Sequence, residues 1–298
     1  MGSPFGDLLV GNDEINSLFG RDGDDALKGG GGDDFLYGGV GGDTLDGEGG
    51  IDTVGYHESL AGIVISLIDD TASGGTAAGD QLDNIENIIG SPYGDQLTGD
   101  NGRNVLQGAH GDDILRGYGA DDLLVGGDDT DRLYGMDGMD DLYGQGGTDW
   151  LYGGEHPDHL YGQSDNDHLF GDGGGDWLEG GTGVDMLTGG PGNDTFVWNA
   201  TAETGLTIPT MDTIIGFNFA EGDRIDLSAV DADVFTPGDQ AFTFIGTAPF
   251  SGTPGEISYS YAGGNTIIQL QTGTVADIEG GIVLAGILTP TADWFMPR

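Results

Sequence analysis

Cysteine is absent from the 298 residues. Disulfides and thiolate metal sites are therefore excluded, and any covalent or metal staple must use oxygen or nitrogen donors. Basic residues are almost as scarce, with 7 Lys and Arg against 52 Asp and Glu, a formal charge of -45. That balance makes nucleic acid and anionic membrane poor partners. There is no apolar run of about 18 residues, so no transmembrane helix is expected. The N-terminal stretch MGSPFGDLL has neither a basic start nor an apolar h-region, so no cleavable signal peptide is expected. HExxH, GxSxG, P-loop and dinucleotide motifs are missing as well. The sequence thus offers no catalytic signature, and a non-catalytic role is expected.

What is abundant is acid and glycine, the latter 62 residues. Such a composition alone would suggest a disordered chain. A strict register argues otherwise. From Gly90 to Val197 a nine-residue unit repeats twelve times without a change of frame, as in GAHGDDILR (Gly108 to Arg116) and GYGADDLLV (Gly117 to Val125). Glycine comes first, an acidic residue sixth and an aliphatic residue eighth. The sixth position falls on Asp95, Asn104, Asp113, Asp122, Asp131, Asp140, Asp149, Asp158, Asp167, Asp176, Asp185 and Asp194. The eighth runs from Leu97 in steps of nine to Leu187 and Phe196. The pattern G-G-x-G-x-D-x-U-x is an established mark of calcium-binding parallel β-helices, so the assignment is recognition as well as derivation.

The physical reading is an all-β parallel β-roll. Each unit supplies a glycine turn and a short x-U-x strand, and two units complete an eighteen-residue coil. Alternate units stack on one edge about 4.8 Å apart, as neighbouring strands do. One edge then carries Asp95, Asp113, Asp131, Asp149, Asp167 and Asp185, and the other carries Asn104, Asp122, Asp140, Asp158, Asp176 and Asp194. Carboxylates at that spacing repel unless a hard cation lies between the turns. Calcium takes 6 to 8 oxygens, which carboxylates and turn carbonyls supply. The eighth residues point inward as a thin apolar ladder, one side chain per nine residues. That is too little burial to offset chain entropy alone, so the repeats are expected to fold on binding several calcium ions.

Four segments follow from the register. Residues 2–55 form a first block of six units, with sixth positions Asp7, Asn16, Asp25, Asp34, Asp43 and Asp52. The second of these, NDEINSLF after Gly11, lacks turn glycines, so a weak or missing site is expected at Asn16. Residues 56–89 break the register and are expected to form irregular bridging coils with a hairpin. Residues 90–197 are the second block. Residues 198–298 lose glycine and gain Val, Ile, Phe and Thr, reading as successive strands that cover the last open coil. Asp212, Asp223 and Asp226 lie between these strand-like runs, as a further calcium site or as ordinary turn carboxylates.

Outward positions are rich in rings: Tyr134, Tyr152 and Phe170 on one sheet, Tyr143 and Tyr161 on the other, with Trp150, Trp177, His159 and His168 beside them. Cross-strand ladders account for them most simply. A platform for polysaccharide or a cell-surface ligand is the alternative. His156 takes a turn position, and His159 and His168 fall in different sheets, which argues against a zinc or general-base cluster.

The phrases NDTFVWNA, DTIIGFNFAEGDRIDLSAVDA, FSGTPGEISYSY and NTIIQL resemble the C-terminal domain of the serralysin family of secreted bacterial metalloproteases. The repeat blocks before them are similar to those of proteins of the repeats-in-toxin (RTX) type. The resemblance implies a calcium-loaded β-roll with a β-rich cap, secreted from bacteria to the extracellular space by type I machinery that reads an uncleaved C-terminal signal. ADWFM (Ala292 to Met296) resembles the end of such signals, although Pro297 and Arg298 follow it here. The family's zinc-binding HExxH helix has no counterpart, so protease activity does not carry over. Three readings remain: a calcium module supporting export and stability, a polysaccharide- or surface-binding module, or the C-terminal part of a secreted metalloprotease, lipase or epimerase.

Overall fold

The computed structural model describes residues 1–233, 240–273 and 278–296. It is all-β, and its repeats form a largely parallel β-roll, as the nonapeptide period predicts. The chain divides into two compact units, Met1–Gln145 and Gly146–Arg298.

In the first unit, successive repeats place strands on alternate sides. One sheet stacks Ser17–Asp22, Phe35–Val40, Thr53–Gly55, Asn87–Ile89, Val105–His110 and Leu123–Asp128 in parallel. Opposite it, Leu8–Val10, Ala26–Gly31, Thr44–Gly49 and Gln81–Asp83 form a four-stranded parallel sheet. On the same side Val64–Ser66, Gln96–Thr98, Ile114–Gly119 and Arg132–Asp137 form another. Within intact repeats the partner of each residue lies eighteen positions on, as Leu106↔Leu124 and Leu115↔Leu133 show. Two units therefore make one coil.

The x-U-x strands prove longer than three residues. In Val105–His110 the ladder resumes beyond Gly108, with Ala109↔Gly127 and His110↔Asp128. The turn residues after the glycine are thus themselves paired, and the corner is a kink inside a strand.

The bridging segment lengthens the coil without ending the roll. Gln81 pairs with Thr44 and Asn87 with Thr53. The extra chain is taken up by the antiparallel hairpin of Val64–Ser66 with Thr71–Ser73 and a 3-10 turn at Gly75–Ala77.

In the second unit, His159–Ser164, Trp177–Thr182, Thr195–Val197 and Arg224–Asp226 stack in parallel. The other sheet runs through Trp150–Glu155, His168–Gly173, Met186–Thr188, Asp212–Ile215 and Gly280–Leu284. Asn265–Gln271 and Glu256–Ala262 continue it antiparallel, and Thr243–Gly246 ends it. This change of direction gives the last coil a neighbour without offering another roll-type edge. The tail returns to the roll, where Met296 N donates to Ile225 O at 2.9 Å and Trp294 packs on Phe217.

The core is the predicted ladder. Every eighth residue from Leu97 to Leu187 is 0% exposed, and Phe196 is 1% exposed. Leu9 and Leu18, in the first coil, are only half-buried because one side of that coil has no neighbour.

Candidate metal-binding corners

The sixth-position side chains form two hydrogen-bonded ladders. Asp113 Oδ1 accepts the backbone N–H of Asp95 at 2.7 Å, and Asp122 Oδ1 accepts that of Asn104 at 2.7 Å. The same bond, across one coil, joins Asp7 to Asp25, Asn16 to Asp34, Asp25 to Asp43 and Asp34 to Asp52. It continues from Asp113 to Asp131 and from Asp122 to Asp140. In the second unit it joins Asp149 to Asp167, Asp158 to Asp176, Asp167 to Asp185 and Asp176 to Asp194. One oxygen of each carboxylate is thus spent on holding the coils in register.

The other oxygen faces the first glycine of its own unit. A Cβ on Gly108 would collide with Asp113 Oδ2 and would lie 2.7 Å from the carbonyl oxygen of Gly126, one coil on. Gly117 meets Asp122 Oδ2 and the Gly135 carbonyl in the same way, as does Gly162 with Asp167 Oδ2 and the Gly180 carbonyl. The glycine is needed here for close approach. Oxygens of a carboxylate and of a turn carbonyl converge on the space that a side chain would fill.

Ten of these carboxylate oxygens are buried and accept no hydrogen bond: Oδ2 of Asp25, Asp34, Asp43, Asp52, Asp113, Asp122, Asp167, Asp176, Asp185 and Asp194. A buried charged oxygen without a partner is strongly destabilising. At several of these positions burial favours the protonated form. Burial pushes Asp113 up to about 8, with the neighbouring Asp131, Asp95 and Asp112 charges adding to it and the Asp95 N–H opposing it. Burial likewise raises Asp167 to about 8, and Asp122 and Asp194 to about 7. The donor set is hard oxygen throughout, and a divalent cation of calcium's type fits it. Among the described residues no three His, Asp or Glu side chains converge on one point. Each corner contributes a single carboxylate, and turn carbonyls such as Gly126 O stand beside it.

Not every predicted site residue sits in such a corner. Asp7, Asp95 and Asn104 lie in the ladders, but their outer oxygens already accept N–H groups of Ser3, Ser91 and Asp100. Asn16 is held the same way by Asn12 N–H. Asp212, Asp223 and Asp226 do not come together as one site. Asp212 continues the rung from Asp185 and Asp223 the rung from Asp194. Asp226 Oδ1 accepts Ser228 N–H, as a turn carboxylate.

Two ladder members escaped the sequence reading. Asp80 Oδ1 accepts the N–H of Asp43, and Glu86 Oε2 that of Asp52. They replace the missing sixth positions across the bridging segment. Their offsets of 37 and 34 residues hide them from any nine-residue frame.

On the outer faces, Trp150 stacks on His168 at 5.0 Å and Tyr152 on Phe170 at 4.8 Å, both with nearly parallel rings. His156 occupies a left-handed turn with φ 85°.

A parallel roll whose edges carry repeated aspartate–glycine corners defines a calcium-repeat protein. The chain belongs to the RTX calcium-binding nonapeptide repeat family, whose four-copy model matches residues 1–36, 19–54, 89–124, 116–151, 125–160, 143–178 and 170–197. Among solved structures it is similar to the AlgE6R3 subunit of the Azotobacter vinelandii mannuronan C5-epimerase. There the identity is 25%, over 58% of this chain and 80% of that one, with a TM-score of 0.36. It is also similar to the extracellular lipase LipA from Serratia marcescens, at 18% identity and a TM-score of 0.32, over 100% of this chain and 39% of that one. The chain therefore spans well under half the length of that lipase. No curated protein matches it.

Proposed function

We propose that this chain is a non-catalytic calcium-binding module of a secreted bacterial protein. It stays unfolded where calcium is scarce, folds once calcium is plentiful, and so supports type I export and the stability of its cargo. One observation carries this reading: ten buried carboxylate oxygens have no hydrogen-bond donor, and at seven of them a backbone carbonyl from another coil converges on the same space. Asp25, Asp34, Asp43, Asp52, Asp113, Asp122, Asp167, Asp176, Asp185 and Asp194 would hold the ions. Asp131, Asp140, Asp149 and Asp158 occupy the same register. Calcium supplies charge neutralisation between coils, and extracellular sites of this sort fill at roughly 10⁻⁴–10⁻³ M. The repulsion among 52 acidic side chains keeps the metal-free chain expanded.

The C-terminal tail is consistent with export before folding. Trp294 is 7% exposed in the folded cap, and Phe295 bridges to Ile225. A signal of the serralysin type in Ala292–Met296 would be readable only before the cap closes over it. Pro297 and Arg298 lie outside the described residues.

Far-UV circular dichroism in EGTA, then in millimolar calcium, tests the reading. At about pH 8, where the raised carboxylates ionise, strand signal is expected to appear only with calcium. An unchanged folded spectrum in EGTA would refute it.

A second reading, binding of polysaccharide or a cell-surface ligand, is favoured by the parallel-ring Trp150–His168 and Tyr152–Phe170 stacks on one outer face. Retention on an alginate or glucan column, lost in W150A/Y152A, would support it; equal retention of both proteins would end it.

A further inference from the structure

The second residue of each unit adopts one of two conformations, and these sort the corners into two kinds. Arg21, Gly30, Gly39, Glu48, Ala109, Tyr118, Gln163, Asp172, Gly181 and Gly190 all have positive φ, between 65° and 111°. Four residues further on stand Asp25, Asp34, Asp43, Asp52, Asp113, Asp122, Asp167, Asp176, Asp185 and Asp194. All ten are carboxylates whose Oδ2 accepts no hydrogen bond. Ser3, Asn12, Ser91 and Asp100 hold the same position but are not among the positive-φ residues. In all four, the backbone N–H donates to the sixth-position side chain: to Asp7 Oδ2, Asn16 Oδ1, Asp95 Oδ2 and Asn104 Oδ1, at 2.5–2.7 Å.

The two states differ by a turn of the peptide between the first and second residues. Reversing the sign of φ at the second residue rotates its N–H away from the carboxylate, while the carbonyl of the next coil stays beside the first glycine at both kinds of corner, Gly126 O at Gly108 and Gly108 O at Gly90. With the N–H inward the side chain is satisfied, and the positive end of the peptide dipole occupies the position a cation would take. With it outward, Oδ2 has no donor from the chain, and a cation or a proton must offset its charge. The sequence bears this out independently. Both sixth-position asparagines of the chain, Asn16 and Asn104, stand at N–H-inward corners, and every outward corner has aspartate.

We infer that this peptide orientation assigns calcium to corners, and that the first coil of each repeat block is a calcium-free starter. Asp7 and Asn16 open the first block and Asp95 and Asn104 the second, each coil closed by the chain's own N–H groups. The far ends are closed by protein donors as well. Tyr56 Oη donates to Asp80 Oδ2, Trp198 Nε1 to Asp212 Oδ2, and Asn218 N–H to Asp223 Oδ2. Three of the four ladder edges therefore end on rungs that need no ion, and the fourth passes from Asp52 N–H to Glu86 Oε2; the closed rungs give calcium-loaded coils a preformed strand to add to.

The inference rests on the calcium reading given under Proposed function, and native mass spectrometry of the full chain titrated with calcium acetate separates the two. At saturation D113N and D122N should each carry at least one ion fewer than wild type. D95N should carry the same number as wild type. N104D, which restores the consensus aspartate, should gain none. Loss of an ion in D95N, or a gain in N104D, would overturn the assignment of corners while leaving the calcium reading intact. A wild-type chain that binds no calcium would overturn both. N104D gives up the bond from Asn104 Nδ2 to the Glu86 carbonyl but keeps the oxygen that accepts Asp100 N–H, so it probes the corner separately from D95N.

Discussion

Trp198 Nε1 donates to Asp212 Oδ2 at 2.7 Å, while Asp212 Oδ1 accepts the N–H of Asp185 at 2.9 Å. Both oxygens of a fully buried carboxylate are thereby satisfied at the point where the nonapeptide register ends. An indole does for this last rung what a cation does within the proposed run. Trp198→Phe keeps most of the packing but strands Asp212 Oδ2. Unfolding by urea in saturating calcium should show a loss of about 2–4 kcal/mol. A change below about 0.5 kcal/mol would mean that the rung does not depend on the indole.

The kinked corners make opposite demands at adjacent positions. Ala109 and Gln163 sit at φ 91° and 79°, where a Cβ costs about 1 kcal/mol. Ala109→Gly and Gln163→Gly should each be neutral or stabilising by up to about 1 kcal/mol with calcium present. Gly108→Ala should be severe, because its Cβ would occupy the space of Asp113 Oδ2 and the Gly126 carbonyl. Thermal melts of the three variants check the ordering. A Gly108→Ala protein as stable as wild type would contradict the convergence of oxygens on that glycine.

Acidity should act in opposite directions with and without metal. In the metal-free fold Asp113 and Asp167 are raised to about 8 from an ordinary 3.8, chiefly by burial. The folded state then binds protons that the unfolded chain releases. Their stabilisation is full below 3.8 and is lost as pH rises through about 8. In EGTA, far-UV circular dichroism should therefore show more strand at about pH 5 than at about pH 8. With calcium the sign reverses, because protons compete for the same carboxylates. Strand content in EGTA that stays constant over that range would refute the first half, and calcium affinity that rises on acidification the second.

Much of the site was legible in the sequence because the repeat makes one residue's environment recur. Leu97 to Leu187 lie in the core and Asp113 to Asp194 on the edges for the same reason that each sits nine residues from the next. The cap strands were legible too: Glu256–Ala262 and Asn265–Gln271 carry β-branched and aromatic runs between glycine turns. Asp80 and Glu86 were not, since their partners Asp43 and Asp52 lie across a hairpin of arbitrary length. Asp212, Asp223 and Asp226 are close along the chain but separate in space, two on different rungs and one in a turn, because successive strands carry them to different edges.

The amino-acid sequence by itself determined the coil, its eighteen-residue closure and which side chains face in, because a fixed period leaves the backbone one way to stack. Only the tertiary structure decided how each aspartate spends its second oxygen. Ser91 and Ala109 hold the same place in their units, yet one turns its N–H toward the carboxylate and the other turns it away. That choice depends on a single peptide rotation, and the atoms that make it costly or favourable come from neighbouring coils, eighteen residues away.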